Sequence, residues 1–417
     1  MPKISSKGVG MPASPIRKLT PYAEQAKQQG KKVYHLNIGQ PDIETPEVMM
    51  NAIRSVDFDV WAYTQSEGTE SYRKKLADYY NRAGYKVSAD DILVTCGASE
   101  AIVIAMQSCL DPGDEIIIPE PFYANYSAFA WMSSAVIKPV LSFIETGFAL
   151  PPVSEFEKLI TEKTKAIFIC NPNNPSGYLY SYEELVELKK LCLKYDLYLF
   201  ADEAYREFCY DGQKFYSPMH LEGIDENVIV FDSISKRYSA CGARIGCFVT
   251  RNKKVLSTAL KFAQARLSPG MVDQIAAEAG TDTPESYFEE VNKEYTERRD
   301  FLVASLNKME GVFCPNPKGA FYVVARLPVD DSEKFCQWIL EEFSHDNETV
   351  MIAPAAGFYC TEGAGRDEVR LAYVLNKEEL TKAMICLEKA LLLYPGRVVR
   401  KETEARKLIA EESKNIN

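Results

Sequence analysis

The sequence predicts an α/β protein, with a large, doubly wound, mostly parallel seven-stranded sheet domain beside a smaller α+β domain drawn from both chain ends. Three observations predict it. Between about residue 90 and residue 250, seven short apolar runs alternate with stretches of helical pattern. Each run is mostly branched or aromatic and is bounded by Gly, Pro, Asp or Asn, as expected of strands buried on both faces. After about residue 284 the alternation stops, and a long helical pattern is followed by mixed strand-like and helical pieces. The length, 417 residues, also exceeds what one compact core holds.

Taken in order, residues 1–45 carry one helix and the piece "YHLNIG", too little apolar mass to fold alone, and are expected to join the small domain. Residues 46–284 form the large domain. Its runs are "DILVTC", "DEIIIP", "AVIKPV", "KAIFIC", "LYLFA", "VIVFD" and "IGCFV". The segments between them carry helix signals. "SYEE" from Ser181 to Glu184 has capping-box form, and Leu185, Leu188 and Leu191 then share one helical face. Residues 285–395 form the small domain. "PESYFEEVNKEYTERRDFLVASL" reads as one helix, with Phe288, Val291, Tyr295 and Leu302 at helical spacing, and "AFYVVARL" and "EVRLAYVL" read as strands. Residues 396–417 form a charged tail, read as a solvated helix. No repeat or low-complexity segment interrupts the chain.

Composition excludes several classes. The formal charge of −11 disfavours a polyanionic partner such as nucleic acid. The opening residues lack the apolar core of a signal peptide, and no run approaches the roughly 18 apolar residues of a membrane span. Eleven cysteines are scattered singly, several inside apolar runs, which fits a reduced cytoplasmic protein using them as small hydrophobes. With no CxxC pair and only His35, His220 and His345, no metal site is expected. The GxSxG elbow of a serine hydrolase is also missing.

In a doubly wound sheet, ligands sit beyond the carboxyl ends of the strands. Five of the seven strand ends carry polar chemistry here. After the first run, Gly97-Ala98-Ser99 opens a helix whose free N–H groups suit a phosphate, although Ser99 equally suits a plain N-cap. Tyr123 follows the second run, as a plate for a flat ligand or as a core tyrosine. "NPNNPSG" after "KAIFIC" is a rigid loop that aims an amide or simply turns the chain. Asp202 ends the "LYLFA" segment and needs a partner, either a structural cation or a protonated ring nitrogen. Beyond "VIVFD", Lys236 stands among Ser233, Ser235 and, eight residues on, Arg244. A lysine meant to form an imine belongs in such a partly desolvated pocket, and the hydroxyls with the arginine would surround a phosphate. Each feature alone also suits a structural role. Together they are the parts that hold pyridoxal phosphate.

With these residues in place, the sequence resembles the fold-type I pyridoxal-phosphate aminotransferases of class I/II, the aspartate aminotransferase superfamily, over roughly residues 15–395. The matching stretches are "LNIGQPDIETP", "YTQSEGTESYRKKLADYY", "GASEA", "NPNNPSG", "ADEAY", "SISKRYSACGARIG", "PKGAFY" and "VRLAYV", in the family's order. The resemblance implies roles. Lys236 matches the Schiff-base lysine and proton-transferring base, and Asp202 the partner of the pyridinium nitrogen. Tyr205 and Asn174 match the hydrogen-bond partners of the ring 3-oxygen, and Tyr123 the aromatic stacked on the ring. Ala98, Ser99, Ser233 and Arg244 match the phosphate cup. Tyr63 matches a tyrosine reaching the neighbouring subunit's phosphate, which implies a homodimer with shared sites. Arg370 matches the arginine gripping the substrate α-carboxylate, and Gly39 the glycine lying against it. No residue clearly matches the arginine that some members donate across the dimer to a dicarboxylate substrate. Arg17 and Asn125 lie where relatives border the substrate side chain.

The reading that follows is a ping-pong transaminase, moving an amino group from an α-amino acid (aspartate, alanine or an aromatic) to a 2-oxo acid such as 2-oxoglutarate. A carbon–sulfur β-lyase or another fold-type I enzyme would use the same cofactor residues. A cofactor-sensing regulator would need a DNA-binding domain, for which the chain leaves no room.

Overall fold

The computed structural model describes residues 2–398, so the expected tail lies almost wholly outside the described residues. The first strand, β1 (Lys32–His35), belongs to the small domain. The next seven strands are the seven apolar runs: β2 (Ile92–Thr95), β3 (Glu115–Glu120), β4 (Val136–Leu141), β5 (Thr164–Cys170), β6 (Tyr198–Asp202), β7 (Val228–Ser233) and β8 (Gly246–Val249). They form one sheet in the order β2-β8-β7-β6-β5-β3-β4. Only β8 runs against the others, antiparallel to both β2 and β7.

Alternation along the central strands explains why these runs are mostly apolar. Val228 and Val230 of β7 and Ile167 and Ile169 of β5 face one helical layer, with Leu185, Leu188 and Leu191. Ile229, Phe231 and Phe168 face the other layer, with Ile102, Met106 and Ala259. Both faces of the central strands are covered, so most of their positions are apolar, and polar residues such as Asp202, Asp232 and Ser233 fall at the carboxyl ends. Each such side chain contributes about 1.5–3 kcal/mol by burial. The helix Tyr182–Tyr195 starts at the expected capping box: Ser181 accepts from the Glu184 N–H, and Glu184 accepts from the Ser181 N–H.

The small domain has four further strands. β9 (Tyr322–Arg326), β11 (Ala353–Pro354) and β12 (Glu368–Ala372) form an antiparallel sheet, and β10 (Glu348–Met351) pairs in parallel with β1. The long helix Glu285–Lys308 buries Val291, Tyr295 and Leu302 against them, with Leu19, Ala23 and Tyr34 from the N-terminal segment in the same core. That segment also contains a single helical turn, Ser6–Val9, where one helix was expected before β1. The turn rests on the large domain, with Trp131 Nε1 donating to the Lys7 carbonyl at 2.8 Å. Residues 14–17 then cross the mouth of the central cavity before Leu19 enters the small-domain core. No helix among the described residues is long and apolar enough to cross a membrane.

Candidate active site

A cavity of about 600 Å³ opens at the carboxyl ends of the parallel strands, where the fold class places ligands. Ala98, Ser99, Tyr123, Asn174, Asp202, Tyr205, Ser233, Lys236, Arg244, Gly39 and Arg370 all line it, so eleven of the twelve expected site residues converge. Tyr63 does not. It lies on the surface, 80% exposed.

One end of the cavity is built for an anion. The helix Ala98–Cys109 begins behind Gly97, which takes φ +79°. Ser99 sits inside the first turn, so the expectation of Ser99 as N-cap is corrected: Gly97 holds that position. A Cβ on Gly97 would lie 2.4 Å from Arg244 Nη2, and one on Gly246 would lie 2.5 Å from the Gly97 carbonyl carbon. Two glycines thus let an arginine close on a helix N-terminus, a pairing of charge and dipole that suits phosphate. The Ser233 and Ser235 hydroxyls, 2.8 Å apart, complete that wall, with Arg244 Nη1 3.4 Å from Ser235 Oγ.

Deeper in, Asp202 ends β6 with its carboxylate buried. Tyr126 donates to Oδ2 at 2.7 Å and the Ala204 N–H to Oδ1 at 3.1 Å. Burial pushes the Asp202 pKa up to about 6, against the pull of these hydrogen bonds. A cationic ring nitrogen beside it would restore the carboxylate. Tyr126, in the first turn of the helix Asn125–Ser133, was missed in the sequence, where nothing separates it from a core tyrosine.

Lys236 projects from the short helix Ile234–Arg237 after β7. Its Nζ donates to the Gly39 carbonyl at 2.6 Å and lies 3.7 Å from Cys241 Sγ. Among the described residues no carboxylate pairs with it in a salt bridge, so its amine is free of the acid that usually holds a part-buried lysine. Tyr205 and Tyr322 hydroxyls meet at 2.7 Å beside it.

Arg370, on β12, is 2% exposed. Nη1 donates to Asn174 Oδ1 at 3.1 Å and Nη2 to the Asn37 carbonyl, while Nε has no hydrogen-bond partner. The guanidinium lies between the Tyr322 ring at 4.6 Å and the Phe358 ring at 4.9 Å. A guanidinium buried without a carboxylate carries a desolvation cost of several kcal/mol, which an incoming carboxylate offsets. At the mouth, Asn125 Nδ2 donates to the Tyr123 hydroxyl at 2.8 Å. Arg17 lines the cavity from an exposed position.

These residues fit pyridoxal phosphate by the chemistry of the donor set: an anion cup, a buried acid, an acid-free lysine and an unpaired arginine around a volume of suitable size. A fold of this strand order with those groups lining one cavity fits a pyridoxal-phosphate-dependent enzyme, and the relatives narrow that class to the transaminases. The aminotransferase class I and II model matches residues 31–385. An aspartate aminotransferase of Pyrococcus horikoshii is 33% identical over 366 residues, covering 86% of this chain and 90% of that one. The solved structure of the Thermus thermophilus aspartate aminotransferase with maleate superposes with a TM-score of 0.86 at 28% identity, covering 94% of this chain and 100% of that one. An alanine aminotransferase from Pyrococcus furiosus gives 0.85 at 30% identity, with 93% and 99% coverage. The chain belongs to the class I and II aminotransferase family.

Proposed function

We propose that this transaminase takes aspartate, alanine or an aromatic amino acid as donor and a 2-oxo acid such as 2-oxoglutarate as acceptor, with the roles set out below. When bound, pyridoxal phosphate supplies the aldehyde that receives the amino group and the electron sink that acidifies the α-proton. The helix N-terminus at Ala98 and Ser99, with Ser233 and Arg244, holds the phosphate. Asp202, oriented by Tyr126, keeps the ring nitrogen protonated. Tyr205 and Asn174 hold the ring 3-oxygen, and Tyr123 covers the ring face. Arg370 grips the substrate α-carboxylate, with the Gly39 backbone alongside. Lys236 would hold the cofactor aldehyde through its amine and, once displaced by the substrate amine, serve as the base that moves the substrate's α-proton.

The observation that carries this reading is the presence, in one cavity, of an acid-free Lys236 and a buried Arg370 whose Nε is unpartnered, the two reaching the backbone carbonyls of Gly39 and Asn37. The Pyrococcus and Thermus relatives named for aspartate, and the one named for alanine, support the donor classes. Exposed Arg17 at the mouth supports a substrate with a distal carboxylate. We place the protein as a homodimer, since Val60, Trp61 and Tyr63 form an exposed apolar run beside a groove lined by Ile53, Val56, Phe58 and Val272. Eleven free thiols support a reducing, cytoplasmic setting.

The test is a half-reaction. Holo-protein is mixed with single amino acids without acceptor, and the cofactor spectrum is followed. Loss of the visible band with one equivalent of 2-oxo acid per site supports the reading, and the fastest donor names the class. Catalytic release of pyruvate and ammonia with the band unchanged would instead establish a lyase. Lys236→Ala should fold, lack the visible band and lose nearly all turnover. Wild-type turnover in that variant sinks the assignment.

A further inference from the structure

We propose that Tyr322 is a positioning residue that links the substrate-carboxylate site to the cofactor's ring 3-oxygen, an inference that rests on the roles given above to Arg370 and Tyr205. Tyr322 opens β9 in the small domain and is buried. Three contacts meet on it. Its hydroxyl lies 2.7 Å from that of Tyr205. Its ring lies beneath the Arg370 guanidinium, 4.6 Å from the centroid. Its hydroxyl also presses on the Gly39 backbone so closely that a Cβ there would stand 1.7 Å from the phenol oxygen. Gly39 in turn accepts from Lys236 through its carbonyl. One side chain therefore touches the neighbours of all three reacting centres.

Proton counting gives the link a direction. A tyrosine hydroxyl has one proton. Once Tyr205 donates its proton to the ring 3-oxygen, its contact with Tyr322 requires Tyr322 to be the donor. Tyr205 is the only hydrogen-bond partner of the Tyr322 hydroxyl among the described residues. The charged and titratable groups facing this pair are Arg370 from β12, Lys236 beyond β7, Asp202 at the end of β6, Tyr123 beyond β3 and Cys170 from β5. Of these, Arg370 lies over the Tyr322 ring, and a cation there makes the phenol a stronger donor. A substrate carboxylate neutralises that cation and so weakens the donation to the ring oxygen. Carboxylate binding is thereby reported to the cofactor through Tyr322.

The test uses holoenzyme and the variant Tyr322→Phe, which keeps the ring and removes the proton. The visible absorbance is titrated with pH, with and without maleate as an unreactive carboxylate. Removing one donor should raise the titration midpoint by up to about one unit. It should also shrink the change in midpoint that maleate causes in the wild type. A purely structural role would leave both unmoved, and wild-type values for both overturn the link. Tyr205→Phe, measured alongside, separates the levels. A shift with Tyr205→Phe and none with Tyr322→Phe overturns the link alone. No shift with Tyr205→Phe overturns the role of Tyr205, and the link falls with it.

Discussion

Arg370 shows how much a single residue commits the site. Its charge is buried between two rings and its hydrogen bonds go to an amide and a backbone carbonyl, leaving Nε unused. The α-carboxylate is common to every amino acid, so its loss should not depend on the side chain. Arg370→Ala should raise KM by about 30-fold or more for every donor tested, the consequence of losing a buried charge pair worth 2–5 kcal/mol. The check is steady-state kinetics with one acidic, one small and one aromatic donor. A loss confined to one class would remove Arg370 from the α-carboxylate. At this scale the sequence was readable wherever chemistry and position coincide. Lys236 and Asp202 are polar residues at the ends of apolar runs, and that contrast is visible without a fold. Tyr126 and Tyr322 were not readable as site residues, because an aromatic near apolar positions is indistinguishable from core until its hydroxyl partner is placed.

At the scale of the element, the proposed phosphate end rests on a helix start and a strand start that approach more closely than side chains permit. The Gly97 turn has positive φ, which a residue with a Cβ adopts only at a cost, and the added carbon would collide with Arg244. Because Arg244 Nη2 is the far end of a long side chain, it would give way rather than the helix. Gly97→Ala should therefore leave the protein folded, since a strained φ costs about 1–3 kcal/mol. Cofactor affinity should fall, with Kd rising roughly tenfold or more as one phosphate contact worth about 1.5–3 kcal/mol is displaced. Fluorescence titration of apo-protein with pyridoxal phosphate measures this directly, and an unchanged Kd would show that Arg244 is not held against the phosphate by Gly97. The central strands of the large sheet were legible because burial on both faces leaves nearly continuous apolar runs, while the edge strand β4, with Val136 exposed and Lys138 within it, was legible from its remaining branched residues. β10 and β11 were not. "ETVM" and "AP" are short, and β10 exists because β1, some three hundred residues earlier, pairs with it. Pairing at that distance leaves no local pattern.

At the scale of the molecule, Tyr63 is the one expected site residue outside the cavity of its own chain. It is 80% exposed, with Trp61 at 70% and Val60 at 71% beside it. Three large apolar side chains in four positions, all in water, are a poor arrangement for a chain that remains alone. A second copy covering them would explain the exposure and carry Tyr63 to the other subunit's phosphate. Subunit mixing tests this reading. Subunits carrying Lys236→Ala are co-expressed with subunits carrying Tyr63→Ala, each inactive or impaired as its own dimer. If Tyr63 acts across the interface, a mixed dimer places both lesions in one site and leaves the other intact. Random pairing would then restore about a quarter of the wild-type sites. If Tyr63 acts within its own chain, every site in the mixed dimer carries one lesion and mixing restores nothing. The readout is transaminase activity per total protein, with dimer mass confirmed by sedimentation. Activity no higher than the mean of the two parents would leave Tyr63 without a role in the partner's site, and its exposure would then need another explanation than a shared phosphate cup.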